Sequence, residues 1–191
     1  MGMNASSGSL VDRMMRAARL DIAVYEELEH DTTATSQAAM AVGIVAVSGA
    51  VGSALGSILF GAGVGVAVFQ LIAGIIGAYL GWVIWAYLTY FIGTSLFGGT
   101  ATPGEMLRTL GFAQSPGILN ILGFIPCLGA ILALVVAIWS LVCGVVAIRQ
   151  ALDFDTGKAI ATAVIAFIPA FIISLVLIGI PTALLAGASG R

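Results

Sequence analysis

The sequence predicts an all-α membrane protein, a polytopic transmembrane helix bundle of five spans (the third short or broken) preceded by an amphipathic N-terminal helix. Of the 191 residues, 60% are hydrophobic and only 8% are charged, whereas about a quarter are charged in an ordinary soluble domain. Charged residues are absent from three long stretches, 32–104, 109–148 and 159–190. Apolar residues run continuously there instead of alternating, which favours helices over the strands of a membrane barrel.

The first 31 residues are predicted to form a cytoplasmic amphipathic segment, and residues 32–191 a transmembrane domain. Between Ser9 and Asp31 apolar residues recur with a helical period, which predicts a single helix with one apolar face. That face would contain Val11, Met14, Met15, Ala18, Ile22 and Tyr25, with Arg13, Arg16 and Arg19 on the other. Such a helix either lies in the membrane interface or packs on the protein's own spans.

The end of this segment is acidic. One explanation is a solvated helix end, because exposed carboxylates are normal there and contribute little to stability. The other is a surface that steers and selects a partner protein through its charge. The candidate partner-binding residues are Glu26, Glu27, Glu29 and Asp31.

The first two spans are predicted at residues 36–60 and 67–91, joined by a short uncharged loop. Each contains two glycines four residues apart, Gly52 with Gly56 and Gly77 with Gly81. Small residues at this spacing allow two helices to approach closely in lipid. These four glycines are therefore predicted to be helix-packing positions.

Residues 109–125 form an ambiguous third segment. A span needs about 20 apolar residues, and this segment is shorter than that and is interrupted by Pro116. It either crosses the membrane as a thin, broken span or forms a re-entrant hairpin. The two alternatives place the later basic residues on different sides of the membrane.

The distribution of basic residues favours a crossing. With five spans and a cytoplasmic N-terminus, Arg191 is the one basic residue outside, whereas a re-entrant hairpin places five inside and two outside. The positive-inside rule therefore prefers five spans. The basic residues expected inside are Arg13, Arg16, Arg19, Arg108, Arg149 and Lys158.

The fourth span is predicted at residues 128–148 and the fifth at residues 158–180. Asp153 and Asp155 lie in the turn between them and are suitable caps for the fifth helix. Pro169 lies within the fifth span and should kink it, because proline lacks the main-chain donor. Pro181 should help to end it.

Several short motifs follow one another in a recognisable order. Gly111 and Phe112 precede Pro116 in a glycine–aromatic–proline element, and Pro126 precedes a span that contains Trp139. Together with the polar stretch at 25–38 and the Gly-Lys-Ala sequence at 157–159, they resemble the Yip (Ypt-interacting protein) domain family, in its short prokaryotic form. The resemblance covers residues 20–185 and implies five spans with a cytoplasmic N-terminus.

The resemblance also bears on partners. Eukaryotic members of the family bind small GTPases and membrane-curving proteins in early secretory traffic. This chain lacks their long N-terminal region, which argues against GTPase binding. The expected partners are the lipid bilayer and other membrane proteins or a second copy of the chain. Nucleic acid is not expected, because a net charge of −2 provides no basic surface.

No catalytic, cofactor or metal site is predicted. Catalytic metals need clustered histidines, cysteines or carboxylates. The chain has one histidine, His30, and two separated cysteines, Cys127 and Cys143, with no carboxylate inside a predicted span. These observations argue against an enzyme.

The sequence therefore predicts a non-enzymatic adaptor, scaffold or accessory subunit in a prokaryotic cytoplasmic membrane. The alternative is a small transporter or channel that uses the broken segment from Pro116 to Pro126. Interrupted helices offer free backbone carbonyls at membrane depth and build substrate sites in transporters. Against a pathway for ions, the interior of the predicted spans contains no Asp, Glu, Lys, Arg or His.

Overall fold

The computed structural model describes residues 8–180, and every regular element in this range is helical. Four helices are long and apolar enough to cross a membrane, Thr32–Leu59, Val64–Phe97, Leu128–Ala151 and Thr156–Leu177. The predicted polytopic helix bundle is thus confirmed. The α-helices are α1 (Leu10–Ala18), α2 (Ile22–His30), α3 (Thr35–Leu59), α4 (Val64–Phe97), α5 (Pro103–Ala113), α6 (Leu128–Ala151) and α7 (Thr156–Ser174).

Three shorter helical pieces complete the chain. A 3-10 turn, Thr32–Ala34, leads into α3, and a π-helical turn, Leu175–Gly179, extends α7. A longer 3-10 helix, Ser115–Phe124, follows α5 directly. The predicted proline at the end of the fifth span, Pro181, lies outside the described residues.

α5 and the 3-10 helix after it run alongside α3 from one end of the bundle to the other. Gly111 in α5 lies against Ala38 near the start of α3, and Phe124 lies beside Gly56 near its end. These contacts follow α3 for 18 residues, or about 27 Å at the rise of an α-helix. A hairpin would turn back before reaching the far end. The ambiguous segment is therefore a fifth traverse of the bundle.

Pro116 explains why this traverse changes from an α-helix to a 3-10 helix. Proline has no main-chain N–H, so the carbonyl of Phe112 loses its helical partner. The hydroxyl of Ser115 donates to that carbonyl instead, at 2.6 Å. Because a 3-10 helix rises about 2.0 Å per residue, its 10 residues extend about a third further than an α-helix would. A short segment thereby reaches across the bundle.

α1 and α2, which we call the cap, pack against one end of the bundle, the cap end. The prediction of one continuous helix from Ser9 to Asp31 is wrong. Leu20 has a left-handed backbone conformation with φ of 62°, which turns the chain between the two helices. Ser9 and Asp21 begin them by accepting hydrogen bonds from main-chain N–H groups, as helix N-caps do.

The cap has a buried side and an exposed side. α1 buries Met14 and Ala17 but exposes Val11 and Met15. Arg13, predicted on the polar face, is only 1% exposed, so that prediction is wrong. Of the two alternatives for this segment, packing on the protein's own helices is what α1 does.

The remaining connections lie at opposite ends of the bundle. After α4, Thr100 donates a hydrogen bond of 2.8 Å to Asp153 in the turn between α6 and α7, so both turns lie at the cap end. Asp155 caps α7, as predicted, by accepting from the N–H of Lys158 at 3.0 Å. The turns at 60–63 and 125–127 lie at the other end, which we call the far end.

Candidate functional site

A buried arginine holds the cap together. Arg13 donates to Glu27 at 3.0 and 2.7 Å, to Asp31 at 2.7 Å and to Gln37 at 3.0 Å. A charge removed from water is tolerated only when it is paired and hydrogen-bonded. This arginine therefore joins α1, the end of α2 and the first turn of α3 into one unit.

Arg16 extends the network at the edge of the cap. It donates to Asp21 at 2.8 Å and to Glu27 at 3.0 Å. Burial alone would raise the pKa of Glu27, but the hydrogen bonds from Arg13 and Arg16 outweigh it and hold that pKa below its ordinary value. The hydrogen bond from Thr33 and the contact with Arg13 likewise lower the pKa of Asp31. Both carboxylates are ionised in the folded cap.

The four predicted partner-binding residues therefore divide into two groups. Glu27 and Asp31 form ion pairs with Arg13 inside the cap, so their charges are already neutralised before a partner protein binds. Glu26 is exposed and accepts a hydrogen bond of 2.9 Å from Gln150 at the end of α6. Glu29 is partly buried near the end of α2.

Glu29 is part of a wider acidic surface that the sequence analysis missed. Burial raises the pKa of Glu29, the adjacent His30 lowers that pKa, and the smaller effects of Asp153, Glu105 and Glu26 raise it. α2 packs against α5 and against α6, and Gln150 at the end of α6 donates to Glu26, so the elements that carry these carboxylates meet there. We call Glu26, Glu29, Glu105 and Asp153 the acidic patch. Its members come from α2, α5 and the turn before α7, and this separation along the chain hid it from the sequence.

The cap is also fastened to the spans. Arg108 of α5 donates from Nε to the carbonyl of Leu28 at 2.7 Å and also donates to the carbonyl of Glu29. On the other side, Trp139 of α6 donates to the carbonyl of Ala18 at 2.7 Å. The cap that carries Glu26 and Glu29 is therefore hydrogen-bonded to both α5 and α6.

The family-like motif residues lie mainly in the packed interior. A Cβ on Gly111 would lie 2.9 Å from Ala38 of α3 and 3.3 Å from Trp82 of α4, so glycine permits three helices to meet there. Trp82 fixes this crossing by donating to the carbonyl of Leu107 at 3.0 Å. Phe112 and Pro116 are buried, whereas Pro126 is exposed in the turn at the far end.

The four predicted helix-packing glycines have different surroundings. A Cβ on Gly52 would collide with the main-chain oxygen of Asn120, so α3 packs closely there, against the 3-10 helix. Gly56 makes an ordinary contact, 3.7 Å from Phe124. Gly81 has open space beside it, so the prediction that it packs within this chain is wrong. Gly77 is partly exposed on α4 and stays a prediction.

A groove with a volume of about 960 Å³ opens among α3, α4, α6 and the 3-10 helix. Most of its lining residues are alanines and glycines. Its polar lining residues are Ser53, Gln70, Gln114, Asn120 and Ser140. Part of its floor is the broken segment that the sequence predicted, whereas the opposing walls were not predicted.

Among residues 8–180, no three histidine, cysteine, aspartate or glutamate side chains come together in a way that could hold a metal ion. Cys143 is buried in α6, while Cys127 is exposed at the far end. The geometry therefore offers two surfaces for function, the acidic patch on the cap and the groove.

Comparison with known proteins agrees with this architecture. The Yip1 domain matches residues 23–178, a range that begins within α2 and ends in the π-helical turn after α7. No curated protein and no solved structure gives a significant match. The match crosses the predicted boundary at residues 31 and 32, so it includes most of α2 as well as the spans. The chain therefore belongs to the Yip1 domain family and is a multi-pass integral membrane protein.

Proposed function

We propose that this protein is a non-enzymatic adaptor, scaffold or accessory subunit of a membrane assembly, with the acidic patch as its docking surface. The supporting observation is that the elements carrying Glu26, Glu29, Glu105 and Asp153 meet beside a cap fixed by Arg13 and Arg108. Charged surfaces of this kind mainly steer encounter and set specificity. The partner would be a basic segment of another membrane protein.

The same proposal includes an orientation. The basic residues predicted to lie inside are on the cap or on α5, the end of α6 and the start of α7, all at the cap end. The positive-inside rule places such an end in the cytoplasm. The cap then faces the cytoplasm of a prokaryotic cell, where soluble regions of other membrane proteins are accessible to it.

The test is co-purification from cells in mild detergent. Glu26→Gln with Glu29→Gln removes two charges from the patch and leaves the carbonyl contacts of Arg108 in place. A bound partner should be lost, and the loss should resemble the effect of raised salt, because salt screens exposed charges over about 10 Å. The matched control is Asp12→Asn on α1, which removes a half-exposed carboxylate outside the patch.

Three results would contradict this function. One is an unchanged set of partners for the double variant. Another is equal loss with Asp12→Asn, which would indicate a general charge effect. Size exclusion shows whether the double variant stays folded and monodisperse. If it does not, Glu29→Gln alone, which keeps the Gln150 contact of Glu26, takes its place, and unchanged partners for that variant are the third contradicting result.

The rival function is a small transporter or channel. The groove beside the 3-10 helix supports it, since helix interruptions build substrate sites in transporters. Towards the cap end, however, Val42 of α3, Phe112 of α5 and Cys143 of α6 are each 0% exposed. A path would need these packed residues to separate. Uptake of a neutral solute into vesicles that contain the purified protein would favour the rival.

A further inference from the structure

The groove lies in the part of the bundle where the spans separate. α4 and α6 form its two walls, and they make little or no contact with each other. α3 and the 3-10 helix form its floor. Many lining residues are exposed, among them Ser53, Gly74, Gly123, Ala130, Ala133 and Ala137. The groove is therefore open along its length rather than enclosed.

Its opening faces the apolar part of the membrane. The walls are spans, and large apolar residues next to the lining project outwards from both of them. Ile72 and Ile76 on α4 are 57% and 54% exposed, and Leu134 and Ile138 on α6 are 63% and 56% exposed. Surfaces of this kind meet acyl chains rather than water. Whatever enters between α4 and α6 comes from the bilayer.

The interior of the groove differs from this rim because it contains polar side chains without charge. Within residues 8–180, the side-chain amides of Gln114 and Asn120 make no hydrogen bond to the protein. An amide in an apolar medium without a partner costs about 1–3 kcal/mol by protein mutational data. An occupant with hydrogen-bonding groups would remove that cost.

The shape restricts the occupant further. The groove ends towards the cap at buried residues, so it is a pocket and not a continuous pore. Its volume of about 960 Å³ lies within the range of about 300–1,000 Å³ found for ligand pockets. The small side chains on its walls leave room for a chain to lie against the helices. No Asp, Glu, Lys or Arg lines it, so no charged group is selected there.

From these four observations we infer that the groove binds one membrane lipid, which enters sideways between α4 and α6. Its acyl chain lies against the alanines and glycines of the walls. An uncharged linkage of the lipid, such as a glycerol ester, accepts hydrogen bonds from the amide N–H groups of Gln114 and Asn120. This binding site is separate from the acidic patch and does not depend on the adaptor function.

The test uses the full chain in vesicles of phosphatidylethanolamine and phosphatidylglycerol that contain a trace of phospholipid with a photoreactive diazirine in one acyl chain. After irradiation, labelled peptides should concentrate on the lining of α4, α6 and the 3-10 helix. Filling the groove with Ala133→Leu and Ala137→Leu should remove this labelling. Gly81→Leu is the control, since it also adds a bulky apolar side chain but on α4 where the space is open.

The amides are tested separately by the lipid retained after purification in mild detergent, counted by native mass spectrometry. Asn120→Leu and Gln114→Leu keep similar volume and remove the hydrogen-bonding groups. Each should weaken retention by roughly two- to tenfold, because a net hydrogen bond contributes modestly to binding. Circular dichroism and thermal unfolding identify any variant that fails to fold, and the smaller change Asn120→Ala or Gln114→Ala then replaces it at the same position.

Several results would overturn the inference. Labelling spread evenly over lipid-facing helices would mean that the groove is not a site. Retention unchanged in both amide variants would mean that the amides do not recognise the lipid. Rapid reaction of an introduced Ala133→Cys with a water-soluble thiol reagent in vesicles, together with absence of lipid label there, would show that the groove holds water instead.

Discussion

Arg108 of α5 donates from Nε to the main-chain carbonyl of Leu28, 2.7 Å away and 80 residues earlier in the chain. The last carbonyls of an α-helix have no partner within the helix, and a cation near that end also interacts favourably with the helix dipole. α2 ends at His30, so Arg108 satisfies this end of α2. The arrangement joins the cap to the fifth traverse of the bundle.

The first prediction concerns this connection. Arg108→Leu leaves the carbonyls of Leu28 and Glu29 buried without partners, so the cap should open more often. Losing charge-assisted hydrogen bonds of this kind costs about 1–3 kcal/mol. Hydrogen exchange of the protein in nanodiscs should therefore become faster in α2 while exchange in α3 and α6 is unchanged.

Arg19→Leu is the control for Arg108→Leu. Arg19 is exposed on the cap, and its replacement also removes one positive charge. It should leave exchange in α2 at the parent rate. If both variants, or neither of them, accelerate exchange in α2, the fastening by Arg108 is not what keeps the cap closed.

The second prediction concerns the opening of the cap at low pH. Glu27 and Asp31 have pKa values lowered in the folded cap, relative to ordinary values of 4.5 and 3.8. A lowered pKa contributes stability above the ordinary value and loses it as pH falls through the folded value. The cap should hence remain closed from neutral pH to about pH 4.5 and open progressively below it.

Limited proteolysis with an acid-active protease, followed from pH 6 to pH 3, measures this opening. Glu27→Gln removes the main titrating partner of Arg13, so its cleavage should depend less on pH than that of the parent. An unchanged rate of cleavage in the parent over the whole range would mean that the carboxylates do not control the cap.

The sequence could predict features that depend on local composition, but not those that depend on contacts between distant parts of the chain. The uncharged runs predicted the first span at 36–60, and α3 is Thr35–Leu59. The two agree closely because a span is recognised from the apolar composition of its own segment. The break at Leu20 was missed because no glycine or proline marks it. One local signal could have revealed it: Asp21 before an apolar run is a good N-cap. Helical period by itself does not show where a helix stops.

The buried arginine and the acidic patch could not be predicted from the sequence for a different reason. Arg13 meets Glu27 and Asp31 only because the chain turns back between α1 and α2. Glu26 and Glu105 come from helices separated by two spans. Periodicity assigns a residue to a face of its own helix, but it does not say which other helix covers that face. Both features arise at contacts between elements.

The third prediction uses the glycines, where the same limit applies. Spacing identified Gly52 and Gly81 equally, yet only Gly52 lies against another backbone. Gly52→Leu should force α3 away from the carbonyl of Asn120, and overpacking of this kind costs about 1–3 kcal/mol. The melting temperature in detergent should fall for Gly52→Leu and stay near the parent value for Gly81→Leu. A lower melting temperature for Gly81→Leu than for Gly52→Leu would show that α3 does not approach Asn120 closely in the protein as purified.

The last prediction tests the fifth traverse and the orientation with one native residue. Cys127 is exposed in the turn between the 3-10 helix and α6, at the far end, whereas Cys143 is buried. In a Cys143→Ala background, a membrane-impermeant thiol reagent added to intact cells should label Cys127. A second protein carries Thr156→Cys with both native cysteines replaced by alanine. It should be labelled only after lysis, because Thr156 begins α7 at the cap end.

The comparison of Cys127 with a reference position at the far end separates the alternatives for residues 109–125. Cys127 and Thr156→Cys lie on opposite sides under either alternative, because α6 spans the membrane between them, so this pair reports the orientation of α6. If the segment crosses the membrane, Cys127 lies on the same side as the turn between α3 and α4. A re-entrant hairpin would return Cys127 to the side of α5. Ala62→Cys, in the exposed turn between α3 and α4, provides the reference for the far end, since α3 reaches that end under either model. Labelling of Ala62→Cys but not of Cys127 would therefore contradict the crossing. Labelling of Thr156→Cys alone would preserve the crossing and reverse the orientation, because the basic cap end would then face outwards.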